Sequence, residues 1–297
     1  MAKEVAIFYD ASKCTACKGC QVACKQWNQL PAAFDTEDYE FSGSFEAPTK
    51  NSGDTWIRIT FDEGEDSKGD FRWAFGRDAC QHCTDAACVA ACPSGACHKT
   101  PHGAVVIDQD KCIACEYCVA ACPFSVPKLR ARDNKTNKCR MCLDRVDNGK
   151  KPACVSTCPT GALQFGDRYE MIKLAKERLN VIKPNKPDAI VYGLKEMGGL
   201  HVIQVLPYGA KAAGLPENPE VSALTLASKY MKPIAGIGAL GVAAFAGLSF
   251  LGGRGATRGK DDLTFDPETG ITYNKGVPID DHKDATAEAS SDAKGGE

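Results

Sequence analysis

Sixteen of the 17 cysteines fall into four runs of four, and every run is a variant of one spacing. The most regular run reads Cys-x2-Cys-x2-Cys-x3-Cys-Pro, and the other three lack the proline or widen the middle gap. In chain order the runs are Cys14, Cys17, Cys20 and Cys24; Cys80, Cys83, Cys88 and Cys92; Cys112, Cys115, Cys118 and Cys122; and Cys139, Cys142, Cys154 and Cys158. Thiols so close in sequence confine the chain to tight loops followed by short helical turns. Cys97 alone lies outside the pattern.

This spacing suits a metal cluster whose corners lie close together. A tight loop can bring the first three thiolates of a run to one cluster, and the fourth comes from the helical turn that follows. Proline after the fourth cysteine fixes φ and offers no amide, which suits a chain leaving a helix. In bacterial-type ferredoxins the fourth thiolate usually reaches the neighbouring cluster. The runs are therefore predicted to work in pairs and to hold [4Fe-4S] clusters.

Two other uses of cysteine fit the pattern less well. Disulfides stabilise a small secreted domain most when they close long loops, whereas these thiols crowd into triplets. Structural zinc uses separated Cys-x2-Cys pairs, and triplets that end in Cys-Pro are not its usual pattern. Zinc would make the protein a metal-dependent scaffold without redox function. Cys97 is predicted to be a buried or idle thiol.

Charge is distributed unevenly along the chain. The formal net charge is −2 over 297 residues, but from Asp261 to Glu297 ten acidic residues stand against three lysines. Few large apolar residues accompany them, so residues 253–297 are predicted to form a disordered acidic tail. The N-terminus shows no apolar export segment and no twin arginine, which predicts that the chain carries no export signal of its own.

Hydrophobic patterning between and after the runs predicts an α+β fold. Val5 to Tyr9 indicates a strand leading into the first run, and residues 55–75 indicate a hairpin whose aromatic side chains pack beside the clusters or against a partner. Apolar residues at helical spacing predict a helix from Asp167 to Asn180. Residues 1–180 are predicted to form the ferredoxin-like domain. Residues 181–228 are predicted to be a connector that contains one strand, His201 to Leu206, and that is either an extended arm across a partner or a surface loop.

Residues 229–252 are predicted to cross a membrane once. Pro233 to Leu251 contains no charged residue and would span about 28 Å as a helix, against a hydrocarbon core of about 30 Å. Three basic residues follow the span closely and two precede it, so the positive-inside rule favours a cytoplasmic C-terminus. The cluster domain is then expected at the outer, periplasmic face of the cell membrane.

Further motifs carry a resemblance to known proteins. They are Trp27-Asn28, Cys80-Gln81-His82-Cys83, Asp144-Arg145-Val146, Gly198-Gly199-Leu200-His201, Gly214 to Pro219 and Lys232 to Gly236. The first three motifs resemble the four-cluster, ferredoxin-type electron-transfer subunits of the molybdopterin oxidoreductase superfamily. The last three narrow the resemblance to the iron-sulfur beta subunits of membrane-bound respiratory formate dehydrogenases. The resemblance covers about residues 1–252 and leaves out the acidic tail.

The resemblance implies two double-cluster lobes and four [4Fe-4S] clusters. Lobe A pairs the first run with the fourth, and lobe B pairs the second with the third. The implied ligand sets of lobe A are Cys14, Cys17, Cys20 and Cys158 (first set), and Cys24, Cys139, Cys142 and Cys154 (second set). Those of lobe B are Cys80, Cys83, Cys88 and Cys122 (third set), and Cys92, Cys112, Cys115 and Cys118 (fourth set). Lys25, where a proline is usual, departs from the pattern.

The resemblance also implies a function and partners. Such a subunit performs no bond chemistry itself. It receives electrons from a catalytic alpha subunit, whose molybdenum or tungsten pterin site oxidises formate, and passes them to a membrane cytochrome b gamma subunit that reduces quinone. Membrane lipid is a further expected contact, and the loaded complex is expected to be exported on the alpha subunit's signal. The alternative keeps the electron-transfer role in a polysulfide, dimethyl sulfoxide or tetrathionate type of molybdopterin oxidoreductase.

Polar residues near the runs raise two further hypotheses. His82 and His98 are candidates for hydrogen bonds to cluster sulfurs, although filling a loop is the commoner role of such residues. A basic stretch beside the fourth run is interpreted as a partner-facing surface or as a stabiliser of anionic clusters, and no nucleic-acid partner is expected. Its members are Arg130, Arg132, Lys135, Lys138 and Arg140.

Overall fold

The computed structural model describes residues 3–32, 45–221 and 225, and the backbone of three short strands between residues 263 and 278. The chain divides into one unit from Met1 to Lys232 and a second from Pro233 to Glu297. The strands of the first unit are β1 (Val5–Asp10), β2 (Ile57–Glu65), β3 (Phe71–Ala79), β4 (Cys97–Lys99), β5 (Val105–Ile107), β6 (Lys128–Arg130), β7 (Lys135–Asn137), β8 (Leu163–Asp167), β9 (Ile190–Tyr192) and β10 (Val202–Leu206).

Short helices follow the cysteine loops, and one longer helix follows β8. They are α1 (Gly19–Trp27), α2 (Ala87–Ala91), α3 (Tyr117–Ala121), α4 (Leu143–Val146), α5 (Ala153–Ser156), α6 (Arg168–Ile182) and α7 (Gly209–Ala212). The α1 helix of the first run packs against α5 of the fourth, and α2 of the second run packs against α3 of the third. The helices therefore pair as the two lobes require.

A four-stranded sheet joins the N-terminal strand to the segment that follows the last cysteine run. The strand order is β8-β1-β10-β9, in which β1 pairs parallel with β10 and antiparallel with β8. On β1, Ala6 and Phe8 pack with the apolar residues of α6, whereas Ile7 and Tyr9 belong to the core that contains the cysteines. Both faces of the strand are covered, which explains why its sequence is a continuous apolar run.

The α6 helix begins where its sequence provides a cap. The Asp167 side chain accepts hydrogen bonds from the amides of Tyr169 and Glu170, which otherwise have no partner in the first turn. The helix ends at Ile182, just before Pro184. The helix predicted from Asp167 to Asn180 is confirmed, as are the strand predicted from Val5 and the hairpin of β2 and β3.

The strand predicted within the connector at residues 181–228 is confirmed as β10. The description of this segment as an extended arm or a surface loop is corrected, because it supplies β9 and β10 to the central sheet. All five residues of β10 are buried, between β1 on one side and β9 on the other. The β10 strand pairs in parallel with β1, which lies almost two hundred residues earlier in the chain. Such a distant pairing leaves no local sequence pattern, so the sequence predicts the strand but not the strand beside it.

Two predictions concern residues beyond this unit. The predicted membrane span at 229–252 and most of the acidic tail lie outside the described residues. Within the segment predicted to be disordered, the structure describes a small antiparallel sheet of β11 (Leu263–Phe265), β12 (Thr272–Asn274) and β13 (Val277–Pro278). Among the helices that the structure describes, none has both the length and the apolar character to cross a membrane.

Substitution of Gly103 by alanine is expected to destabilise the junction between β1 and the segment before β10. Gly103 has φ +90°, and a Cβ there would lie 2.0 Å from Cε1 of His201, whose Nδ1 donates to the Val5 carbonyl at 2.8 Å. Strain and displacement of the ring together predict a loss of about 2 kcal/mol or more. The measurement is the temperature at which the purified, loaded protein loses its cluster absorbance.

The matched control for this substitution is Gly69→Ala. Gly69 also has a positive φ, +80°, but nothing lies within 4 Å of the added Cβ. Only backbone strain of about 1 kcal/mol is expected there. Equal bleaching temperatures for the two variants would contradict the role given to the close contact between Gly103 and His201.

Candidate iron-sulfur sites

All four cysteine runs contain the same unusual backbone conformation. The residue before the second cysteine is left-handed in each run, with φ between 48° and 57°. These residues are Ala16, His82, Ala114 and Met141. The conformation costs about 1–2 kcal/mol for a residue with a Cβ, so something must stabilise it. The compensation visible in the first and fourth runs is an amide directed at sulfur: Ala16 N–H donates to Cys14 Sγ at 3.4 Å and Met141 N–H to Cys139 Sγ at 3.5 Å.

The second and fourth runs also end alike. The amide five residues after the last cysteine donates to its sulfur, from Cys97 to Cys92 and from Leu163 to Cys158, both at 3.4 Å. Cys97 begins β4 as Leu163 begins β8, and Cys97 is only 2% exposed. Cys97 therefore occupies a core strand position in a repeated unit. This confirms the prediction that it is a buried thiol, and it explains why one cysteine stands outside the runs.

Lys25 occupies the position after the fourth cysteine where a proline is usual, and the structure shows why. The α1 helix does not end after Cys24 but continues to Trp27, and a proline at this point would disrupt it. The Lys25 Nζ donates to the carbonyls of Pro31 and Asp54, both at 2.8 Å. Lys25 therefore ties the start of the insertion between the first and second runs to the end of the first cysteine helix.

In lobe A the structure brings together both expected sets of thiols. The four thiols of the first set line one pocket, and the four of the second set line another. Trp56 forms part of the second cavity's wall, as predicted for this aromatic residue, whereas Phe61, Trp73 and Phe75 stack on one another farther along the hairpin. Burial, followed by the nearby Cys154, raises the pKa of Cys20 to about 12, so the two sets are close neighbours.

In lobe B the same arrangement is found for most of the expected ligands. Burial raises the pKa of Cys83, and the charges of Cys80, Cys122 and Cys88 act on it in the same direction, which gathers the third set. The remaining contacts involve the fourth set. Burial raises the pKa of Cys118 to about 11, with Cys88, Cys112 and Cys92 among its charged neighbours. Cys115 is exposed and lies in the same short loop as Cys112.

These pockets fit the cluster that the spacing predicts. A thiol must lose its proton to bind metal, yet burial raises the pKa of Cys142 and of Cys122 to about 12. A bound cation and nearby N–H donors are what would stabilise such buried thiolates. Within the described part of the chain, no three His, Cys, Asp or Glu side chains close on a point suited to a single metal ion. In lobe A the thiols of each set instead line a common pocket, which suits a group with several metal corners.

His82 supplies a donor between the two lobes. It belongs to the second run, and burial lowers its pKa, yet the charge that acts on it most strongly is that of the Cys139 thiol of the fourth run. Nδ1 accepts a hydrogen bond from the Val105 amide at 3.0 Å, so the proton of the neutral ring lies on Nε2. The interaction with His82 counters the effect of burial on Cys139, and the pKa of that thiol is lowered. His98, by contrast, is exposed and bonds to the Ala96 carbonyl.

The basic stretch beside the fourth run has two kinds of member. Arg130 and Arg132 form ion pairs with Asp54 on the surface. Lys138 is buried, and its Nζ donates to the carbonyls of Val105 and Cys139. Burial lowers the pKa of Lys138, but the thiolates of four cysteines, beginning with Cys80 and Cys88, outweigh that effect and raise it. Lys138 is thus placed to stabilise anionic sulfur, one of the two roles predicted for this stretch.

Comparison with known proteins agrees with these sites. Two family models described as 4Fe-4S dicluster domains match residues 71–168 and 13–96. The nitrate-inducible formate dehydrogenase iron-sulfur subunit of Escherichia coli is 40% identical over 253 residues, 83% of this chain and 84% of the relative. A formate dehydrogenase iron-sulfur subunit of Haemophilus influenzae is 37% identical over 81% of this chain and 78% of the relative. One subunit of the anaerobic dimethyl sulfoxide reductase of E. coli is 38% identical over 64% of this chain and 91% of the relative.

The shared left-handed turn predicts opposite effects for two substitutions of Ala16. Valine is branched at Cβ and strongly disfavours φ of 51°, so Ala16→Val is expected to open the first loop and reduce the iron bound per chain. Glycine adopts this conformation freely, so Ala16→Gly is expected to bind as much iron as the unaltered protein. Iron and acid-labile sulfide per purified chain are the quantities to measure. Equal iron in both variants would show that the turn does not hold the cluster site.

Proposed function

Because this chain belongs to the family of formate dehydrogenase iron-sulfur subunits, we propose that it carries electrons from a formate-oxidising partner to an acceptor in the membrane. Its function is electron transfer through [4Fe-4S] clusters, as family membership and the two dicluster matches indicate. The catalytic step is assigned to a separate alpha subunit with a molybdenum or tungsten pterin site. The chain itself performs no bond chemistry in this proposal.

We assign one [4Fe-4S] cluster to each of the four ligand sets defined above. Two cavities lined by four thiols each support the sets of lobe A, and the mutual proximity of the remaining thiols supports those of lobe B. When bound, each cluster supplies a group that takes up and releases one electron. The protein's part is to bind each group, to exclude water and to place N–H donors against sulfur.

The order of the sets carries this proposal. Cys20 of the first set lies beside Cys154 of the second, and Cys139 of the second shares Lys138 with Cys80 of the third. Cys88 of the third set lies beside Cys118 of the fourth. The sets thus follow one another as a row from first to fourth. The two exposed ligands, Cys17 and Cys115, belong to the two ends of that row, where electrons would enter and leave.

The position of Val221 supports an orientation for the row. Val221 packs with Ala87 of the second run, and Thr225 lines the same groove. The predicted span at 229–252 follows within a few residues, so we propose that lobe B faces the membrane lipid and a cytochrome b gamma subunit. The first set then faces the alpha subunit. In this proposal the cluster domain lies at the outer face of the cell membrane and the C-terminus is cytoplasmic.

A dimethyl sulfoxide type of reductase is the second candidate. The related subunit of that reductase in E. coli matches 64% of this chain, whereas the formate dehydrogenase subunit of E. coli matches 83% at a similar identity. The longer match favours formate as the electron source. The shorter one supports the shared electron-transfer role without distinguishing the catalytic partner.

The decisive experiment is purification of the complex from native membranes. We expect a large pterin-containing subunit and a cytochrome b to copurify, with about sixteen irons per copy of this chain. Formate should then produce the electron paramagnetic resonance signals of reduced [4Fe-4S] clusters. If all clusters are present but are reduced by another electron donor and not by formate, the second candidate function is favoured. Zinc in place of iron would rule out electron transfer.

Two cysteine variants test the ligand assignment. Cys115→Ala removes an assigned ligand of the fourth set and is expected to lower the iron content by up to about four atoms per chain. Cys97→Ala removes a buried thiol that we do not assign as a ligand and is expected to leave the iron content unchanged. A similar loss of iron in both variants, measured on purified complexes, would show that Cys97 is a ligand and that the fourth set is wrongly composed.

A further inference from the structure

Arg77 is a cation buried in the core without a conventional partner. It lies on β3, opposite Ile59, is 0% exposed and heads the largest fully buried side chains of the described residues. None of its three guanidinium nitrogens has a hydrogen-bond partner among the described residues. Lys138, the other cation buried beside the cysteines, donates instead to two backbone carbonyls. The burial of Arg77 therefore needs a different explanation.

Sulfur surrounds the Arg77 guanidinium. The thiols whose charges act on it are Cys154, Cys139, Cys20 and Cys24. Cys20 belongs to the first set and the other three to the second. Burial lowers the pKa of Arg77, but these four thiolates together outweigh it and raise that pKa above its ordinary value.

A guanidinium cannot escape burial by losing its proton, because it stays charged at any pH at which the protein is folded. A buried charge without a partner is strongly unfavourable, so the anionic sulfur of the two neighbouring sites must compensate it. The planar guanidinium presents five N–H donors in a fixed fork, which can face two sites at once. A lysine ammonium is a compact point charge and would serve one site better than two.

We propose that Arg77 is an electrostatic link between the first and second cluster sites, its fixed positive charge raising the potentials of both. This inference rests on the proposed four-cluster function. The reduced form of a cluster carries one more negative charge than the oxidised form, so a fixed positive charge nearby favours reduction. Hydrogen bonds to the sulfurs act in the same direction. Arg77 is a positioning residue of the electron path, supplied by the hairpin inserted between the first two runs.

The test compares three variants of the complete, purified complex. Arg77→Gln removes the charge, Arg77→Lys keeps it without the fork, and Arg72→Gln removes a charge on the same strand. Arg72 is the matched control because its guanidinium already pairs with Asp62 and is accessible to water. Iron content is measured first. Midpoint potentials of all four clusters are then obtained by redox titration followed by electron paramagnetic resonance, without formate turnover.

In Arg77→Gln, two of the four potentials are expected to become more negative while the other two keep their values. Arg77→Lys is expected to lower at least one of the same two by a smaller amount, and Arg72→Gln to lower none. Four unchanged potentials in a fully loaded Arg77→Gln complex would overturn the proposal. Equal shifts of all four clusters would do the same, because they would indicate a general structural change.

Loss of iron is a separate outcome of the Arg77→Gln variant. If that variant does not load, Arg77→Lys decides the question: full iron with one or two lowered potentials supports the link, and full iron with four unaltered potentials refutes it. Failure of both variants to hold iron would limit Arg77 to cluster assembly and would also refute the link. A wrong proposed function would be recognised separately, because the unaltered complex would then contain fewer than four clusters or would not be reduced by formate.

Discussion

N–H donors directed at buried sulfur are the interaction on which this structure depends. A thiol buried among apolar side chains resists losing its proton, whereas a cluster ligand must be a thiolate. Backbone amides such as that of Ala16 supply part of the compensation by turning toward sulfur in left-handed loops. The positive charges of the buried Arg77 and Lys138 side chains, together with His82 beside Cys139, supply the rest. The unfavourable loop conformation and the buried cations thus have the same physical cause.

The donors reach the sulfurs from distant parts of the chain. Arg77 comes from the inserted hairpin, His82 from the second cysteine run and Lys138 from the residue before the fourth run. His82 and Lys138 both act on Cys139, so the junction between the two lobes is polar where it meets sulfur and apolar elsewhere. The hairpin is therefore part of the cluster environment, because it walls the second cavity with Trp56 and places a charge beside it.

Repetition explains features that look irregular in the sequence. The second and fourth runs end in the same turn, and the position of Leu163 in one is taken by Cys97 in the other. A small hydrophobic thiol fits that strand position, so an odd cysteine needs no ligand role. The first run differs because its helix continues to Trp27, whose indole nitrogen donates to Asp144 of the fourth run at 2.8 Å. One unit has thus been used four times, with adjustments where lobes meet.

The sequence by itself determined the hairpin and the helix that follows the last run, and it predicted the cluster ligands and, through the family resemblance, the pairing of the runs. Those features depend on spacing over a few residues, which a single chain displays directly. Tertiary structure alone decided that Val202–Leu206 lies beside Val5–Asp10, that His82 turns to Cys139 and that Arg77 points into the core. From the sequence alone, Arg77 would be taken for an ordinary polar residue of a two-stranded hairpin. Its charge acquires a partner only when segments far apart in sequence close around the same sulfur atoms.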